Sequence, residues 1–203
     1  MQVEVERRNI KYILHFTKIE NVGSIIENGL IPRSNLEVQG TELTFNDLYR
    51  HDGQKGASCL SISHPNYKMF YSLRQRDNTQ KWVVVAFKRD VLWVKDCAFC
   101  HENAASNNVK AIPIQQRKGL AAFQKMFDPI LGKPNRESLG LPEYCPTNPQ
   151  AEVLVFGAIE PEYILGVITP DKQTETELKV LYPNVEFVFD EDFYRPRFDH
   201  EHW

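Results

Sequence analysis

The sequence predicts an α+β protein built on a largely antiparallel sheet with flanking helices, and three features carry that expectation. Trp82-Val83-Val84-Val85-Ala86-Phe87 is a β-branched and aromatic run with charged ends, the composition of a buried strand. Ile19, Val22, Ile25 and Ile26 recur at helical spacing until Gly29 stops them. The later strand-like runs, one at Glu152 and others near 163–168 and 185–189, gather around a single amphipathic helix at about 171–181, which is an α+β order.

The elements follow in sequence. Residues 11–16 read as the first strand, and Thr17 and Glu20 have capping-box spacing at the start of the helix that follows. A polar stretch with Asp52-Gly53 and Lys55-Gly56 leads into Ser58-Cys59-Leu60-Ser61-Ile62-Ser63, read as a buried strand. Pro65 fits the first turn of a helix carrying Met69, Phe70 and Leu73. Leu120, Phe123, Met126 and Phe127 suggest another short helix. Residues 128–150 hold five of the twelve prolines and two glycines, so they read as a long irregular loop. A loop of that length in a compact domain is more often functional than idle, with a disordered surface excursion as the alternative. There is no internal repeat and no low-complexity linker, so residues 1–203 are expected to form one domain.

Composition narrows the functional classes. The 203 residues are 42% hydrophobic and 11% aromatic, enough for a sizeable core. With 24 Lys and Arg against 27 Asp and Glu, the formal charge of −3 supplies no global basic field, so any nucleic-acid site must be local. The charged start, Met1 to Arg8, lacks the apolar centre of a signal peptide or anchor, and no apolar run approaches the roughly 20 residues needed to cross a bilayer. A cytoplasmic protein is expected, with its four cysteines as thiols. Cys97-Ala98-Phe99-Cys100-His101 matches the attachment sequence of c-type haem, but that chemistry needs export. Zinc on Cys97, Cys100 and either His101 or Cys145 is the more plausible metal reading, and cysteines packed as small apolar residues is the favoured one, so no metal is expected.

Two segments far apart each place a polar residue in or beside an apolar run, where an unpartnered charge is costly. They are Tyr12-Ile13-Leu14-His15-Phe16-Thr17 and Gln150-Ala151-Glu152-Val153-Leu154-Val155, with Arg50 between them. Taken alone, strand alternation makes Glu152 an exposed glutamate, His15 a satisfied core histidine and Thr17 a helix cap. The order of histidine and threonine, a helix ending Asn28-Gly29-Leu30, arginine, apolar strand and late strand glutamate nevertheless resembles the ADP-ribosyltransferases. Within that superfamily it is most similar to the DarT toxins, over most of residues 10–170.

The resemblance implies an ADP-ribosyltransferase-like fold and an enzyme that uses NAD as co-substrate, releasing nicotinamide and placing ADP-ribose on a base of single-stranded DNA. It implies catalytic roles for Glu152 and Arg50, with Arg33 as the competing arginine. A carboxylate suits the positive charge that develops on ribose, and a guanidinium offers a planar charged fork. His15, Thr17, Asn21, Ser61 and Tyr71 are the implied cofactor-binding residues; Tyr67 and Phe70 compete with Tyr71 for stacking on nicotinamide. It also implies that the 128–150 loop contacts the acceptor, and that the toxin is opposed by a DarG-like macrodomain antitoxin.

Arg74, Arg76, Arg117 and Lys118 are the candidate nucleic-acid contacts, because arginine beside aromatic residues can hold phosphate while rings stack on unpaired bases. The terminal Phe193 to Phe198 segment reads equally as a strand-binding surface or as a piece docked on the core. The short chain and its Ser61 to Asn66 segment resemble the guanine-modifying branch of the family more than the thymine-modifying one, which implies guanine as the modified base. The alternatives are an RNA- or protein-directed transferase, or a noncatalytic nucleotide- or zinc-binding regulatory module.

Overall fold

The structure, a computed structural model, describes residues 1–32, 34, 53–54 and 56–203. Among the described residues seven strands form one sheet in the order β4-β5-β2-β1-β3-β6-β7. They are β1 Tyr12–Lys18, β2 Ala57–Ile62, β3 Trp82–Lys88, β4 Asp96–Cys100, β5 Glu152–Phe156, β6 Ile164–Thr169 and β7 Phe187–Phe189. Every neighbouring pair is antiparallel except β6 and β7. Among the described residues the helices are α1 Gln2–Arg7, α2 Val22–Asn28, α3 Tyr67–Arg76, α4 Val91–Val94, α5 Asn107–Lys110, α6 Gly119–Lys125 and α7 Lys172–Leu181.

Differences from the sequence reading have local causes. Thr17 does not cap a helix: it lies within β1 opposite Val83, and a 3-10 turn at Ile19–Asn21 precedes α2. Pro65 stands before the cap of α3, which is Asn66. The charged N-terminus forms α1, which buries only Val5 and is supported by Glu4 paired with Arg7 and Arg8 at i+3 and i+4. Its apolar stripe is too thin to show as periodicity. Gly29 ends α2 at φ 80°, and a Cβ there would sit 2.2 Å from the Ile159 carbonyl oxygen, so the chain needs glycine to bridge Leu30 to Ile159.

Core placement defines where a site can form. One face of the sheet carries the main core, including Ile13, Leu60, Ile62, Val83, Val85, Phe87, Val153 and Val155. The opposite face carries two smaller cores, Leu14 with Phe70, Trp82, Val84 and Ala86, and Leu154 with Ala57, Ala98, Cys100 and Val109. The register explains the division. Leu14 pairs with Ser61, Leu60 with Val153, and Glu152 with Cys100, so Ser61 and Glu152 stand level between Leu14 and Cys100 on that face. Two polar side chains thus interrupt an otherwise apolar row. β1 also parts from β2 early: it pairs with β3 over seven residues but with β2 only at Ile13 and Leu14.

Candidate active site

Glu152 opens β5 and is 5% exposed, so the exposed-strand reading does not hold. Its carboxylate is held by donors. Asn66 Nδ2 donates to Oε1 at 3.1 Å, and the backbone N–H of Ala104 donates to Oε2 at 2.8 Å. Such donors replace the water that a buried carboxylate gives up, and they fix its direction.

Asn66 is the residue that sequence reasoning missed. It is fully buried, its N–H donates to Ser61 Oγ at 3.0 Å, and its Oδ1 accepts the Met69 N–H as the N-cap of α3. The cap position was a visible signal, since asparagine precedes the Tyr67, Met69 and Phe70 run. The contact to Glu152 was not visible, because it joins residues 86 positions apart. Ser63 makes the turn that delivers Asn66 here, adopting φ 62° and donating from Oγ to the Tyr144 carbonyl at 3.1 Å. A left-handed serine is uncommon and stores some strain beside the site.

His15 lies on the part of β1 that has left β2, and its ring reaches back across the gap. Nδ1 is 2.9 Å from the carbonyl oxygen of Cys59. A carbonyl only accepts, so Nδ1 carries the proton and, in the neutral ring, Nε2 presents a lone pair. Thr17 is buried, and its Oγ1 accepts from Asn21 Nδ2 at 3.0 Å. Tyr71 lies on the outer side of α3 at 56% exposure. The structure therefore joins Ser61, Asn66 and Glu152 directly, and it places His15 and the Thr17 and Asn21 pair on the neighbouring strand and the turn after it. Arg50 and its competitor Arg33 lie outside the described residues.

The basic candidates are dispersed. Arg74 folds back: Nη2 donates to the Tyr194 carbonyl at 2.6 Å, and the guanidinium lies 4.6 Å from the Phe70 ring centroid. Arg76 is exposed in the last turn of α3. Lys118 Nζ is 2.6 Å from Asp96 Oδ2 and lies over the Phe156 ring. Arg117 is 6% exposed, so an open-surface phosphate grip does not describe it. The terminal segment docks on the core, with the Tyr194 hydroxyl donating to the Ile168 carbonyl at 2.8 Å.

The cysteines do not converge. Cys97 and Cys100 lie three apart on β4, which sends them to opposite faces and different cores, and Cys145 packs with Leu139 and Leu141. Among the described residues no three His, Cys, Asp or Glu side chains gather in a metal-binding group. Burial pushes the Cys97 thiol up to about 12, leaving it protonated at neutral pH.

Residues 128–150 form a series of turns held by two arginines. Arg136 donates to the carbonyls of Cys145 and Pro142 and to Thr147 Oγ1, each within 2.9 Å. Arg197, buried with Asp199, donates to the Pro146 and Thr147 carbonyls. The base of the loop is thereby tied to the C-terminal segment just before Glu152 begins β5.

A buried, aimed carboxylate beside a diverging strand pair is the arrangement against which known proteins can be compared. The family model for DarT, described as ssDNA thymidine ADP-ribosyltransferase, matches residues 14–198. The chain belongs to the DarT family. Among solved structures, Thermosipho africanus DarTG in complex with ADP-ribose superposes at a TM-score of 0.63 with 19% identity, over 91% of this chain and 51% of that one. The chain thus spans about half the length of that relative. Thermus sp. 2.9 DarT in complex with NAD+ gives 0.55 and 14% identity over 91% of this chain and 98% of that one. The same Thermus protein in complex with ADP-ribosylated ssDNA gives 0.57 and 13%, over 92% and 97%. These likenesses place the sheet and its helices in the DarT fold, the ADP-ribosyltransferase-like α+β architecture the sequence predicts. No curated protein matches the chain.

Proposed function

We propose that this chain, acting as a single domain, transfers ADP-ribose from NAD to a base of single-stranded DNA, with Glu152 as its catalytic carboxylate. The observation that carries the reading is the buried Glu152 held by Asn66 and Ala104 in a chain of the DarT family. Breaking the bond between nicotinamide and ribose C1′ sends the electron pair to nicotinamide and leaves positive charge on the sugar. A fixed carboxylate in a water-poor site favours that charge and can take the proton lost by the attacking base nitrogen. Donor and acceptor groups of the right kind for NAD stand nearby: Nε2 of His15, the Thr17 and Asn21 pair, and Ser61. Tyr71 is proposed to stack on the nicotinamide end, and Arg50 to act with Glu152 on the reacting groups.

Arg76 and the 128–150 loop are proposed as acceptor contacts, whereas Arg74 and Lys118 are engaged with Tyr194 and Asp96. The family description favours thymidine. It replaces the guanine preference, which rested on the short chain and on the likeness of the Ser61 to Asn66 segment to a guanine-modifying branch. Among the described residues no helix is long and apolar enough to cross a membrane. We place the protein in the cytoplasm as a toxin, opposed by a DarG-like macrodomain antitoxin. The test is incubation with NAD and equal amounts of single strand, duplex and matching RNA. Single-stranded DNA is expected to be labelled best, because a paired base must first be unstacked at a cost of a few kcal/mol. Equal labelling of the duplex, or labelling of RNA alone, would move the acceptor elsewhere.

A further inference from the structure

Arg117 is a buried cation without a counter-charge. It ends the 3-10 turn Ile114–Arg117, which a bridge between Ala98 and Lys118 pins to the outer edge of β4. At 6% exposure its Nε has no hydrogen-bond partner, and Nη1 has only the Cys100 sulfur at 3.9 Å, a weak acceptor. Among the described residues no carboxylate pairs with it, although a buried guanidinium keeps its charge and is costly to leave uncompensated.

Arg117 lines a cavity of about 180 Å³ with His101, Gln116 and Lys125, against an apolar wall of Phe99 and Ala122. Burial, and then the charge of Lys125, hold the His101 imidazole below its usual value, while Glu102 and Asp128 act in the opposite direction. Glu102 is engaged with Ser106 Oγ. The cavity therefore gathers a guanidinium fork, an ammonium, an amide and an imidazole.

We propose that this cavity binds a phosphate group, with Arg117 and Lys125 as its charged ligands and His101 and Gln116 as additional donors. Forked arginine with a second cation is the donor set that phosphate oxygens accept best. The occupant is a phosphodiester of the acceptor strand or a free phosphate. The first source rests on the DNA-transfer reading.

The test follows the His101 ring resonances of the full chain during titration with inorganic phosphate. A saturable shift is expected, with its midpoint raised about 10-fold by Lys125→Ala. Arg117→Lys, which keeps charge but loses the fork, is expected to weaken it similarly with the fold intact. In parallel, single-stranded DNA affinity is measured against salt. For a strand phosphate, Lys125→Ala lowers the log-log slope by about 0.7, whereas Lys179→Ala on α7 does not. A phosphate shift with an unchanged DNA slope supports the pocket with a free phosphate as its occupant. A changed slope without that shift supports the diester source. The absence of both the phosphate shift and the slope change overturns the proposal. Nicotinamide release by the same wild-type preparation is scored separately, so loss of the transfer reading leaves the phosphate result legible.

Discussion

Asn66 Nδ2 lies 3.1 Å from Oε1 of Glu152, while the other end of the same amide receives the Met69 N–H at 3.3 Å. One buried side chain therefore sets both the start of α3 and the aim of the carboxylate.

The two duties can be separated. Asn66→Ser keeps a good cap but cannot reproduce the amide donation, so it is expected to fold while losing about 10-fold or more in transfer at saturating NAD. Asn66→Ala loses both, with an added stability cost of about 1 kcal/mol or more. Nicotinamide release and thermal unfolding of the two variants measure the split; normal turnover by Asn66→Ser would remove Asn66 as a positioning residue.

The turn and the site were legible in the sequence to different depths. Hydrophobic runs such as Trp82 to Phe87 decide their own state, and so did the helix stop at Gly29. Glu152 stood out because a charge inside an apolar run demands a partner. The partner itself was hidden, since Asn66 and Ala104 are brought to Glu152 by the pairing of β2, β5 and β4, which no local pattern encodes. Arg117 was legible by type but not by depth, because the bridge from Lys118 to Ala98 that carries it inside has no local signal. For His15, the early parting of β1 from β2, which no local pattern encodes, is what turns its ring toward Cys59.

Arg197 and Asp199 staple the loop before Glu152. Burial pushes the Asp199 carboxyl up, but the Arg197 guanidinium and the Trp203 indole outweigh it and hold that carboxyl below its usual value. Asp199→Asn leaves Arg197 buried without its counter-charge, so the chain is expected to lose about 3 kcal/mol of stability. An unchanged urea midpoint would show that the loop is held by other contacts.

Stability should fall as the solution is acidified through the histidine range. His64 lies between the carbonyls of Pro65 and Asp192 and is held below its usual value by burial, and His101 shifts the same way. Below about 6.5 the unfolded chain therefore binds more protons than the folded one, so stability is retained above that value and lost beneath it. The melting temperature is expected to drop between pH 7.5 and about 5.5, and His64→Phe should flatten that slope. A melting temperature that rises on acidification would reverse the assignment.

The most direct test of the account is Glu152→Gln assayed for nicotinamide release and for ADP-ribose on single-stranded DNA by mass. Glutamine keeps the shape and removes the negative charge, and its single amide oxygen can accept from only one of Asn66 and Ala104, so folding of the variant is checked by thermal unfolding. A folded variant that binds NAD and has lost about 10²-fold or more in transfer is the predicted result. Near-normal release and labelling by that folded variant would contradict the central claim that Glu152 is the catalytic carboxylate.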